Sequence, residues 1–284
     1  MKAKIFLLTA AALTIAAACS KQAQEPAAPE LYPVSFNLTG LAVEYGEITK
    51  AGESETPQIN SLAYFLYSGT TLKDSKNYTA AEFANLDLSN LEIYIPSGEY
   101  TIYFCAGGTD SSDPLTIGTG SYNNTNYAAI TDKGREIFSG SATINSETAA
   151  EYAVTLTRKT GAIALNITDI ENAPSGFTRV LFGTYTPVKW MPLWGTCENT
   201  TTTTNRYCTP EELAAGAYLS LWPRGAMEIN IVAYSGATEI ARAQVSAAVY
   251  ANRKTIITGP LFGASGNFGV SVDSSWGEDN EVTL

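Results

Sequence analysis

The chain has 284 residues, 45% hydrophobic and only 16% charged, which places it among globular proteins with real cores and excludes the disordered class. Its 17 Lys and Arg against 28 Asp and Glu leave a formal net charge of −11, which argues against nucleic acid, since little here could displace counterions from phosphate. It contains 0 His, so the usual general base is missing and a zinc site would lack ligands.

In chain order, the first element is MKAKIFLLTAAALTIAAAC. Lys2 and Lys4 form a basic start, Ile5 to Ile15 an apolar stretch, and Ala16, Ala17 and Ala18 a small-residue cleavage zone. This predicts a signal peptide over residues 1–18, too short to cross a bilayer comfortably. Cys19 follows directly, and residues 19–31 read as a polar, Pro/Ala-rich tether.

From there, strand signals run along the chain. VSFNLTGLAV from Val34, LAYFLY from Leu62, LEIYI from Leu91 and YTIYFCA from Tyr100 show period two or short apolar runs. EIFSGSATI from Glu136 and YAVTLT from Tyr152 continue the habit. GAIALNI from Gly161, RVLFG from Arg179, AYLSLW from Ala217, MEINIVAY from Met227, TEIARAQV from Thr238, KTIITG from Lys254 and FGVSV from Phe268 follow. GGTDSSDP, TGSYNNTN and NAPSGF between them are turn-like in composition. Short helices are predicted only at YTAAEFANL and at TPEELAAG, where Thr209 is an N-cap, Pro210 sits at N1 and Gly216 is a stop. The fold class is therefore all-β.

One pattern occurs twice. IYIPSGEYTIYF and SLWPRGAMEINI align Pro96 with Pro223 and Gly98 with Gly225, and Tyr100, Ile102 and Phe104 with Met227, Ile229 and Ile231. A Pro-x-Gly turn feeding an alternating strand is one corner of a β-sandwich, so two copies predict two tandem sandwiches. The division is placed in TRKTG, giving domains over residues 32–158 and 159–284.

Cys197 and Cys208 bracket ENTTTTTNRY, read as a polar loop whose ends a disulfide could pin, with two free thiols as the alternative. Cys105, inside a strand, reads as a small buried hydrophobe. Trp190 and Trp194 in VKWMPLWG, joined by Trp222 and Tyr185, could form an aromatic platform for glycans or simply fill an interior. The GASG at Gly263 lacks the spacing of a nucleophile elbow, no acid pair stands out, and neither a metal nor a cofactor is expected. The chain reads as a non-enzyme.

Four stretches together resemble one family: AAAC ending at Cys19, YAVTLTRKTGAIALNI, NRKTIITGPLFG and FGVSVDSSWG. They resemble the fimbrillins, or type V pilins, of Bacteroidales. The resemblance implies transthyretin-like sandwiches and a lipobox in which Cys19 is lipidated. It implies export to the outer membrane, cell-surface adhesion, and other fimbrial subunits as partners. It also implies that a trypsin-like protease removes the first strand and that a strand from the next subunit fills the emptied groove.

Lys50, in the polar stretch GEITKAGESETP, is the basic residue placed for such a cut, and Ala51 would become the new N-terminus. The family's usual residue there is Arg. The exchanged strand would carry Val34, Phe36, Leu38, Leu41 and Val43. An uncut subunit would keep its groove filled and serve as an anchor or terminator. The alternative reading is a monomeric surface lipoprotein that binds glycans through exposed aromatics.

Overall fold

A computed structural model describes residues 30–39, 59–108, 115–122, 125–131, 134–148, 150–187, 189–198, 201–263 and 268–273. Cys19, Leu41, Val43, Lys50 and Ala51 lie outside the described residues.

The first half contributes β1 (Leu31–Thr39), β2 (Ile59–Ser68), β3 (Thr71–Tyr78), β4 (Leu91–Pro96) and β5 (Glu99–Gly108). It continues with β6 (Ile117–Tyr122), β7 (Thr125–Ile130), β8 (Ile137–Asn145), β9 (Glu151–Thr155) and β10 (Thr157–Arg158). The second half contributes β11 (Gly161–Ile167), β12 (Arg179–Pro187), β13 (Trp190–Met191), β14 (Thr196–Cys197) and β15 (Thr201–Cys208). It ends with β16 (Tyr218–Leu221), β17 (Arg224–Ser235), β18 (Thr238–Val249), β19 (Lys254–Gly259) and β20 (Gly269–Asp273). Two short helices, α1 (Ala80–Phe83) and α2 (Pro210–Ala214), both start with a capping box, Thr79 with Glu82 and Thr209 with Glu212.

The two halves repeat one arrangement. Sheet β4-β1-β9 packs on β10-β8-β5-β2-β3, and sheet β16-β11-β19-β20 packs on β15-β12-β17-β18. In each, the opening strand lies antiparallel to one neighbour and parallel to the other: β1 to β4 and β9, β11 to β16 and β19. The aligned residues do equivalent work. Ile102 and Phe104 are buried in the first core with Tyr100 packed against it, and Met227, Ile229 and Ile231 are buried in the second. The alternation is what sends them inward, because every second side chain of a strand faces the same side.

The chain passes from one sandwich to the other between Arg158, paired with Phe138, and Gly161, paired with Leu221. Gly161 is required there because a Cβ would lie 2.0 Å from the carbonyl oxygen of Tyr250. A buried polar cluster spans this crossing. Arg158 Nε lies 3.5 Å from Glu136 Oε2, and Tyr218 Oη donates to Glu136 Oε1 at 2.6 Å. Arg158 Nη1 also donates to Asn252 Oδ1 at 3.3 Å. Asn252 holds a left-handed backbone (φ 56°), a conformation Asn tolerates better than most residues.

A fifth sheet, β14-β13-β7-β6, joins the halves through Trp190 opposite Ile130. Two expectations are corrected by the strand pairing. TGSYNNTN, expected as a turn, supplies the end of β6 and the start of β7. Burial of Ala128 and Ile130 in a third core decides this over local polarity. ENTTTTTNRY, expected as a loop, forms most of β15, in register with β12 from Val180 opposite Cys208 to Pro187 opposite Thr201. Threonine is β-branched and suits a strand.

That strand also separates the two cysteines expected to pair. Cys208 is buried in the second core, while Cys197 sits opposite Trp190 against the third, and both are free thiols. Burial pushes the Cys197 thiol up to about 12 and the Cys208 thiol upward as well, so neither is poised as a thiolate. Cys105 is buried and free, as its strand position suggested.

Asp169 anchors the loop after β19. Its carboxylate accepts from the backbone N–H of Leu261 at 2.7 Å, Phe262 at 2.9 Å and Gly263 at 2.5 Å. Burial works against the charge, but these donors outweigh it and hold the carboxyl below its ordinary value. A depressed folded pKa contributes stability that is present above the unfolded value of about 4 and is lost as pH falls through the folded one. Asp169→Ala should cost roughly 2–4 kcal/mol at pH 7 through the orphaned donors. The gap in urea midpoint between variant and parent should begin to narrow as pH falls below about 4, and a gap that persists unchanged at still lower pH would contradict the charge-based account.

Candidate functional site

The first strand is where sequence and geometry meet. β1 is an internal strand, with β4 along one edge and β9 along the other. Its register puts Val34 opposite Ile93 and Phe36 opposite Leu91 on one side, and Phe36 opposite Tyr152 and Leu38 opposite Val154 on the other. Two further backbone bonds extend the ladders, Leu38 N–H to Leu88 O and Leu156 N–H to Thr39 O, each 2.8 Å. Val34, Phe36 and Leu38 point inward with 1%, 0% and 6% of their surface exposed. The Phe36 ring meets Phe104 edge-on at 5.1 Å and Tyr152 at 6.0 Å.

Burying each of these three side chains is worth about 1.5–3 kcal/mol. Without β1, Ile93, Leu91, Tyr152, Val154 and Phe104 would line an open slot, and facing edges of β4 and β9 would carry unpaired N–H and C=O groups. Such a slot is a template for another strand. The structure thus brings Val34, Phe36 and Leu38 together on one face. The connection from β1 to β2 comprises residues 40–58, which include Lys50 and Ala51 and lie outside the description.

The tryptophans do something else. Trp190 and Trp222 are 5% and 2% exposed and stack on each other at 5.9 Å and 11° in the third core. Trp190 is therefore not part of an exposed platform, a correction that follows from its position where β13 meets β7. Trp194 is 38% exposed, edge-on to Tyr127 at 5.4 Å, and Tyr185 lies exposed on β12. Trp190→Ala should cost roughly 3–5 kcal/mol as a core cavity, and Trp194→Ala under about 1 kcal/mol. Equal urea midpoints for the two variants would contradict this division.

Sequence reading missed the β14-β13-β7-β6 sheet. The only hint was LAYFLY, whose unbroken apolar run marks β2 as buried on both faces: Leu62, Tyr64 and Leu66 in the first core, Ala63, Phe65 and Tyr67 in the third.

No family model and no curated protein matches the chain. Solved structures do. A fimbrial assembly protein from Parabacteroides distasonis is similar at 12% identity and a TM-score of 0.46, over 86% of this chain and 99% of that one. A candidate cell adhesion protein from Bacteroides uniformis is similar at 11% identity and a TM-score of 0.45, over 86% and 98%. Candidate polysaccharide binding proteins from Bacteroides thetaiotaomicron are similar at 10% identity and a TM-score of 0.48, over 86% and 97%.

Proposed function

We propose that this chain is a structural subunit of a cell-surface fimbria, exported as a lipoprotein through Cys19 and assembled by exchange of its first strand. The observation that carries this reading is the place of β1. It is a central strand, so its loss opens two edges and an apolar row at once, yet it is the first of the described strands, and a single cut between it and β2 detaches it. A strand from a neighbouring subunit would satisfy the N–H and C=O groups of β4 and β9 and fill the space of Val34, Phe36 and Leu38. Many backbone bonds and buried side chains acting together make such a joint slow to dissociate.

Lys50 is the residue at which the cut is proposed, with Ala51 as the new terminus. The partners are other subunits of the same kind, and the role is architectural, needing no catalytic group or cofactor. An uncut chain, with its slot filled by its own β1, would act as an anchor or terminator.

The test is the N-terminus of the protein from its native cells, read by mass spectrometry, together with its oligomers in sodium dodecyl sulfate. A start at Ala51 accompanied by detergent-resistant ladders supports the reading. A monomer that begins at Cys19 in every fraction would overturn assembly by strand exchange and leave a membrane-held lipoprotein.

A further inference from the structure

At the seam of the two halves lies a cavity of about 480 Å3, lined by Lys159, Trp190, Thr196, Glu198, Thr201 and Arg224 among others. Its volume falls in the range of small-molecule sites. The elements that shape it come from both sandwiches and the fifth sheet: Lys159 follows β10, Thr196 lies on β14, Thr201 opens β15 and Arg224 opens β17.

The charges are unevenly satisfied. Glu198 is already engaged, its Oε2 3.5 Å from Lys189 Nζ and its Oε1 3.4 Å from the Tyr127 hydroxyl. Lys159 is half-buried and donates to Thr157 Oγ1 at 2.7 Å, a neutral acceptor. Arg224 donates to the carbonyl oxygen of Tyr185 at 3.1 Å, also neutral. Neither takes part in an ion pair among the described residues. Burial lowers the pKa of Lys159.

In a chain of net charge −11, Lys159 and Arg224 share one cavity with no ion pair of their own among the described residues, and the carboxylate in its lining, Glu198, is held by Lys189, so the pair can take an anion from outside. The cavity lining also includes Thr196 and Thr201, whose hydroxyls can both donate and accept as sugar hydroxyls require, and Trp190, held in place by stacking on Trp222. We infer that this cavity binds a carboxylate-bearing sugar unit of the uronic-acid class, with Lys159 and Arg224 on the carboxylate and the threonines on the ring hydroxyls. The inference stands apart from strand exchange, because none of the residues it uses belongs to β1 or its neighbours.

The test uses the purified protein with its first strand in place, titrated with sodium glucuronate and, as the neutral counterpart, glucose, by saturation-transfer NMR at low ionic strength. Saturable glucuronate binding is expected, with glucose binding at least about tenfold more weakly. Added sodium chloride should weaken it, as it does any contact carried by exposed charge. Lys159→Met and Arg224→Met should each lose about tenfold or more. Arg224 is exposed, so its variant is expected to keep the parent's melting temperature and decides the matter if Lys159→Met fails to fold. No glucuronate binding, equal binding of glucose, or binding unchanged in Arg224→Met would each overturn the inference.

Discussion

Phe36→Pro is expected to undock the first strand and lower stability by roughly 5 kcal/mol or more. Two losses combine. The Phe36 ring is fully buried between Phe104 and Tyr152, and loss of a core phenylalanine side chain costs roughly 3–5 kcal/mol. Proline also removes an N–H from a strand with partners on both sides, where neither neighbour can supply a substitute. The sum is a large share of the total stability of about 5–15 kcal/mol that domains possess. Hydrogen exchange should show protection lost in β4 and β9, which depend on β1, and retained in β12 and β17. Phe36→Leu, which keeps the N–H and most of the volume, should cost under about 1.5 kcal/mol. Unchanged protection in β4 and β9 for Phe36→Pro would mean that β1 contributes little to the slot, and the proposed joint would lose its physical basis.

Glu136→Leu is the second large effect. The Arg158 side chain has 0% of its surface exposed, and Glu136 is the carboxylate set against it, itself held by the Tyr218 hydroxyl. Removing the acid takes away the carboxylate that faces a guanidinium in a low-dielectric place, at a cost of roughly 3–5 kcal/mol. The double variant Glu136→Leu with Arg158→Met should recover much of that, because a buried pair replaced by apolar groups of similar volume is often neutral. Urea midpoints of the four proteins in the cycle measure the coupling. A double variant as unstable as the sum of the singles would show that the two residues act independently. Because Tyr218 and Asn252 belong to the second half and Glu136 to the first, this cluster should also set how firmly the sandwiches are held together.

The strand content was legible because alternation is a local property: Val34, Phe36 and Leu38 on β1, or Met227, Ile229 and Ile231 on β17, declare an inward face without reference to the rest of the chain. The helix at Pro210 was legible for the same reason, since a cap is made by residues three apart. The candidate slot was half legible. Its inward residues could be named, but its internal position between β4 and a parallel β9 could not, because pairing partners lie far apart in sequence.

By itself, then, the sequence determined the all-β class, the duplicated turn and strand, the faces of individual strands and the acidic charge. Tertiary structure alone decided that the threonine run is a strand, that Trp190 closes a seam, that Cys197 and Cys208 face different cores, and that Lys159 and Arg224 share a cavity. The physical reason is range: periodicity and capping act within a few residues, whereas burial on a second face depends on which distant surface arrives to cover it.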